Sequence, residues 1–101
     1  MRNLMEMTPD KAYIISESGD VREIKPENGT DFSLEEAQQV VDGYIEVVSL
    51  NDKQIMIVNE EGKFTKKCNP IATAIARLNR ALFNFDYISG DIILCPTEML
   101  Q

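Results

Sequence analysis

Tyr44-Ile45-Glu46-Val47-Val48-Ser49-Leu50, then Asn51-Asp52-Lys53, then Gln54-Ile55-Met56-Ile57-Val58 is the stretch that decides the fold. Two runs rich in β-branched residues flank a short polar turn, the pattern of an antiparallel hairpin. Both runs are apolar at nearly every position, which predicts central strands covered on both faces. Asn59-Glu60-Glu61-Gly62 reads as a second turn leading to a short third strand around Lys63-Phe64-Thr65. The expectation is a three-stranded central meander.

Upstream of the hairpin, Ser33 followed by Glu36 three residues later is a capping box that starts a helix. Glu35 and Glu36 suit the positive end of its dipole. Leu34, Ala37, Val40 and Val41 give one apolar stripe, and Gly43 reads as the left-handed residue that ends the helix. Earlier still, Lys11–Ile15 and Val21–Ile24 read as an N-terminal hairpin around Ser16-Glu17-Ser18-Gly19-Asp20.

Downstream, Asn69-Pro70 supplies an N-cap and a first-turn proline for a second helix. Ile71, Ile75, Leu78 and Leu82 mark its expected buried stripe, while Thr73, Arg77 and Arg80 fall on another, exposed side. Tyr87–Cys95 reads as a closing strand with a bulge or bend at Gly90 and a stop at Pro96. The fold class is therefore α+β, an antiparallel sheet carrying two helices. Residues 9–96 form one domain, and residues 1–8 and 97–101 are expected to be loosely held.

At 101 residues, 44% hydrophobic and 27% charged, the composition is that of a globular chain able to bury a core without staples. Cys68 and Cys95 are the two cysteines, and so sparse a set suits reduced thiols. The first residues hold no apolar run long enough for a signal peptide, and no stretch approaches the length of a membrane span. A cytoplasmic location away from membranes is expected. Net charge is −7, but residues 62–85 carry Lys63, Lys66, Lys67, Arg77 and Arg80 with no acid, while 14 acids lie in residues 1–61. That imbalance can steer partner choice, although folding the two regions together would give a merely mixed surface.

Histidine is absent, which excludes Ser-His and Cys-His nucleophile pairs and histidine-ligated zinc. Neither a P-loop nor a G-x-G-x-x-G occurs. Cys68 follows Lys66 and Lys67 and precedes a helix start, the setting of a reactive thiol, but no base or second cysteine stands near it in sequence. It is read as an ordinary half-buried thiol, and Cys95 as core. Asp86 and Asp91 are read as turn and strand-end hydrogen-bonders. Tyr44, Phe64, Phe83, Phe85 and Tyr87 interleaved with cations could form a single-strand nucleic-acid surface. The negative total charge opposes that, and core aromatics are the preferred reading. A DNA mimic would need carboxylates arrayed like phosphates, and these are dispersed among bases.

From Val41-Asp42-Gly43-Tyr44-Ile45-Glu46 through Ile57-Val58-Asn59-Glu60-Glu61-Gly62-Lys63 and Asn69-Pro70-Ile71-Ala72-Thr73 to Gly90-Asp91-Ile92-Ile93, the chain resembles a family of small domains of unknown function. These are encoded by bacteria, phages and other mobile elements. Asp42 departs from the pattern, where a second glycine is common. The resemblance implies a genomic setting and no activity. Asn59, Glu60 and Glu61 look least obliged by structure. With Lys66, Lys67, Arg77 and Arg80 they make the expected partner-binding set. The leading expectation is a non-catalytic accessory module that binds a protein and needs no cofactor or metal. The alternative is a protein that sequesters a small molecule or nucleotide between the second helix and the central hairpin. An enzyme using Cys68 ranks third.

Overall fold

A computed structural model describes residues 7–82 and 86–100. Five strands form one antiparallel sheet: β1 (Ala12–Ile15), β2 (Val21–Ile24), β3 (Ile45–Ser49), β4 (Gln54–Asn59) and β5 (Ile92–Pro96). Their order across the sheet is β2-β1-β5-β4-β3, so the last strand in sequence lies at the centre between the two hairpins. Helix α1 (Leu34–Val41) joins the hairpins; the one-turn α2 (Gly62–Thr65) and then α3 (Pro70–Leu78) lead from β4 towards β5.

Side-chain alternation divides the apolar residues between two layers. Tyr13, Ile15, Met56, Val58, Ile92 and Leu94 point to one face, where they pack with Ala72 and Ala76 of α3. Ala12, Ile55, Ile57, Ile93 and Cys95 point to the other, with Phe32 and with Ala37 and Val41 of α1. Of the two runs expected to be covered on both faces, β4 meets the expectation and β3 does not; β5 takes the second central place. Each fully buried isoleucine or leucine contributes on the order of 1.5–3 kcal/mol. The α+β class and its antiparallel sheet stand as expected, with three α-helices among the described residues in place of two.

The central meander needs correction. Lys63-Phe64-Thr65 is not a third strand but most of α2. The place beside β4 is filled by β5, which arrives from far along the chain. Gly62 meanwhile packs so closely that an added Cβ would stand 3.0 Å from the Ser89 carbonyl oxygen. It serves close approach there, with no positive φ. β3 is correspondingly an edge strand, largely exposed, although its composition matches that of buried β4.

Both helices also differ in detail. The left-handed residue that ends α1 is Asp42, at φ 60, with Gly43 following at φ 154. Position 42 is thus one where glycine would be unstrained. In α3 the buried residues are the small Ala72, Thr73 and Ala76, which let the helix approach the sheet closely. Leu78 is 84% exposed, and Ile71 and Ile75 are only half-buried flanks. Because α3 stops at Leu78, Arg80 lies beyond it with φ 58 and does not share a helical face with Arg77. Beyond β5, Thr97–Met99 forms a 3-10 turn, and the Phe32 amide donates to the Met99 carbonyl at 2.7 Å.

The capping box is complete. Glu36 Oε1 accepts from the Ser33 amide at 2.8 Å, and Ser33 Oγ accepts from the Glu36 amide at 3.1 Å. Glu36 Oε2 also accepts from the Glu27 amide at 2.9 Å, tying the preceding loop to the helix. These backbone donors, Ser33 first, hold the Glu36 carboxyl below its usual pKa. A carboxylate with a depressed folded-state pKa stabilises above its unfolded value and loses that contribution as pH falls through the lowered one. Urea midpoints measured from neutral to acid pH should therefore fall less steeply in Glu36→Gln than in the wild-type protein.

Candidate functional site

Two buried asparagines hold the loops around which a site is built. Asn59, at the end of β4, donates through Nδ2 to the Val41 carbonyl at 3.0 Å and the Asp42 carbonyl at 3.1 Å. Its Oδ1 accepts from the Glu61 amide at 2.7 Å. It thus satisfies the open end of α1 and shapes the turn into α2. Asn59, expected to be among the residues least obliged by structure, is in fact tied to the end of α1, with partners 18 and 17 residues away in sequence. Asn69 caps α3 by accepting from the Ala72 amide at 3.0 Å, as expected. It also donates to the Ile15 and Gly90 carbonyls at 3.0 and 2.8 Å, joining α3 to β1 and to the approach of β5.

Between the β3–β4 hairpin, α2 and the segment on either side of residues 83–85 runs a groove of about 290 Å³. Its sheet wall is Glu46, Val48 and Val58; its far wall is Ala81, Leu82 and Tyr87; Lys63 and Phe64 stand at its rim beside Asp86. Ser89 lies on its lining, 4% exposed, and its hydroxyl is a buried oxygen with no hydrogen-bond partner among the described residues. Leaving such a group unpaired costs about 1–3 kcal/mol.

Lys63 is already engaged, paired with Asp86 and placed 5.8 Å from the centroid of the Tyr87 ring. Its hydrogen bond, together with one from the Tyr87 amide, holds the Asp86 carboxyl below the usual range. Glu46 and Glu60 differ from Asp86. Neither has an ion-pair or hydrogen-bonding partner for its carboxylate among the described residues. Glu46 stands opposite Val58, and the Glu60 amide donates to the Tyr44 carbonyl at 2.9 Å. The two acids are therefore diagonal neighbours on one face, with a spacing of roughly 7–8 Å for such pairs.

The cations expected to bind a partner lie elsewhere. Lys66 reaches the Asp42 carboxylate at 2.5 Å, which lowers the pKa of Asp42 and raises that of Lys66. Arg77 donates to the Asp86 carbonyl at 2.8 Å. Lys66 and Arg77 both line a second depression with Cys68 and Thr73, which meets the groove only at Tyr87. Lys67 and Arg80 are exposed and line neither. Of the expected set, Asn59 and Glu60 come together in the groove, with Glu61 exposed beside them.

Cys68 is an exposed free thiol, while Cys95 is buried in the α1 layer. Burial pushes the Cys95 thiol up to about 12. Asp91 serves as expected, accepting from the Glu17 amide at 2.9 Å. Tyr44, Phe64 and Tyr87 are surface residues, contrary to the core reading; Phe64 is 87% and Tyr44 71% exposed. Phe83 and Phe85 lie outside the described residues. Sequence reasoning missed Glu46 and Ser89, whose roles depend on which strand lies at the edge and on where Gly62 packs.

Among the described residues no cluster of His, Cys, Asp and Glu could hold a metal ion, and no helix is long and apolar enough to cross a membrane. No match was found to a curated protein or to a solved structure. The family described as a domain of unknown function, DUF3846, matches residues 7–99, and the chain belongs to that family.

Proposed function

We propose that this domain is a non-catalytic protein-binding module that receives an extended segment of its partner along β3. The observation that carries this reading is the edge position of that strand, which has no neighbour on its outer side among the described residues. The Leu50 amide donates to the Gln54 carbonyl and the Glu60 amide to the Tyr44 carbonyl, so pairs at 44/60 and 50/54 are of the hydrogen-bonded kind. Alternation then turns the backbone groups of Glu46 and Val48 towards β4 and those of Ile45, Val47 and Ser49 outward.

An outward row of donors and acceptors is a template for an added strand. Proteins that keep such an edge solitary protect it with lysine, proline, a bulge or an inward-pointing charge. β3 has no lysine, proline or bulge and only one such charge, Glu46, while Val47 beside it is 44% exposed. Exposed Tyr44 and Phe64 lie beside it, as aromatic anchors of a docking surface do. The lack of histidine and of phosphate-binding motifs supports a role without catalysis. The resemblance to domains of phages and mobile elements suggests an accessory protein of such an element, binding an element or host protein.

Photocrosslinking tests the reading in cells. A benzoylphenylalanine in place of Tyr44 is expected to give a discrete adduct with another protein. The same group in place of Leu34, which is exposed on α1, is expected to give none. Equal labelling at both positions, or none at either, would remove β3 as the docking edge.

A further inference from the structure

We infer that the groove beside β3 takes a basic side chain, an arginine delivered by the partner strand; this rests on the strand-addition reading above. A strand added to β3 continues the pleat, so every second side chain falls on the α3 face of the sheet. Glu46 and Val48 project to that face and form the groove's sheet wall. A side chain of the added strand standing beside Glu46 therefore enters the groove.

Four features select its chemistry. Glu46 and Glu60 present two carboxylates on one face with no cation paired to either among the described residues. The nearby Lys63 is committed to Asp86 and Tyr87. Phe64 offers an exposed ring at the rim, a surface on which a guanidinium stacks. The fourth feature is independent of charge. Ser89 lines the groove, and its buried hydroxyl, without a hydrogen-bond partner among the described residues, is an acceptor for a donor arriving there. Arginine supplies several N–H donors in a planar fork, enough to meet two carboxylates and a hydroxyl together.

The same charges argue against a second copy as the occupant. Pairing β3 with itself would place both copies' Glu46 on one face, between chains that each carry −7.

The test is a titration of the full chain with N-acetylarginine amide, followed by amide shifts in nitrogen-15 NMR spectra. Its neutral isostere, N-acetylcitrulline amide, is the control. The arginine derivative should give saturable shifts at Glu46, Glu60, Gly62 and Ser89, and the citrulline derivative should bind about tenfold more weakly. Glu46→Gln with Glu60→Gln should remove most of that difference, and Ser89→Ala should weaken arginine binding severalfold. Equal binding of the two derivatives, or arginine shifts centred on another acidic surface, would overturn the inference. Should that occur while Tyr44 still crosslinks a partner, strand addition stands and only the basic side chain is lost. If arginine binds selectively and Tyr44 crosslinks nothing, the groove stands and the strand-addition reading falls.

Discussion

Replacing Asn69 by alanine is expected to lower the unfolding free energy by about 3–5 kcal/mol. The side chain is fully buried and makes three hydrogen bonds, to the Ala72 amide and to the Ile15 and Gly90 carbonyls. Alanine removes the N-cap, a loss of about 0.5–2 kcal/mol, and withdraws the donor from two buried carbonyls at about 1–3 kcal/mol each. Partial relaxation and water entry bring the total below the sum of the upper limits. A domain of this size has roughly 5–15 kcal/mol in all, so much of its stability would go. Urea unfolding checks this through a lower midpoint with an unchanged slope. Asn69→Asp separates the two roles. It keeps the acceptor for Ala72 but sets a carboxylate against two carbonyl oxygens, and should be at least as damaging as alanine.

Val47→Pro is expected to abolish the crosslink from position 44 while leaving the domain folded. Proline removes an N–H and fixes φ, and strands tolerate it where that N–H faces solvent. Val47 meets that condition, since its amide points away from β4 by the alternation of the hairpin. The added ring blocks the donor an incoming strand requires. The cost to folding should be about 1–2 kcal/mol, much of it from losing the partly buried valine side chain. Glu46→Pro provides the contrast. Its N–H faces β4, so proline there removes a ladder bond and should cost about 3 kcal/mol or more. Thermal melts and crosslinking yields of the two variants together distinguish an open edge from a merely exposed one. Retention of the crosslink in Val47→Pro would mean that the partner reaches Tyr44 by another route.

What could be read from the sequence was what neighbouring residues decide. The capping box at Ser33 and Glu36 and the Asn69-Pro70 start each lie within one helical turn, and both occur as expected. The apolar run of β4 announced a strand covered on two sides, while the equally apolar run of β3 announced the same and is exposed. What was hidden depends on partners distant in the chain. β3 and β4 have almost the same composition, and only the arrival of β5 beside β4 makes one the centre and the other the edge. Lys63-Phe64-Thr65 became helical because that place was taken. In α3 the large residues drew attention as the stripe, whereas close packing on the sheet selected the alanines. Asn59 showed the same limit at the site: its hydrogen bonds to the end of α1 cross the β3–β4 hairpin, and no local pattern marks them. Ser89 carried no signal at all, since its interest lies in a missing partner.

Amide hydrogen exchange along β3, measured on the dilute protein alone, tests the open edge most directly. The account predicts slow exchange at Glu46 and Val48, whose amides bond to β4, and rapid exchange at Ile45, Val47 and Ser49. Slow exchange at Val47 would show the edge already covered, and would contradict β3 as the strand that receives a partner.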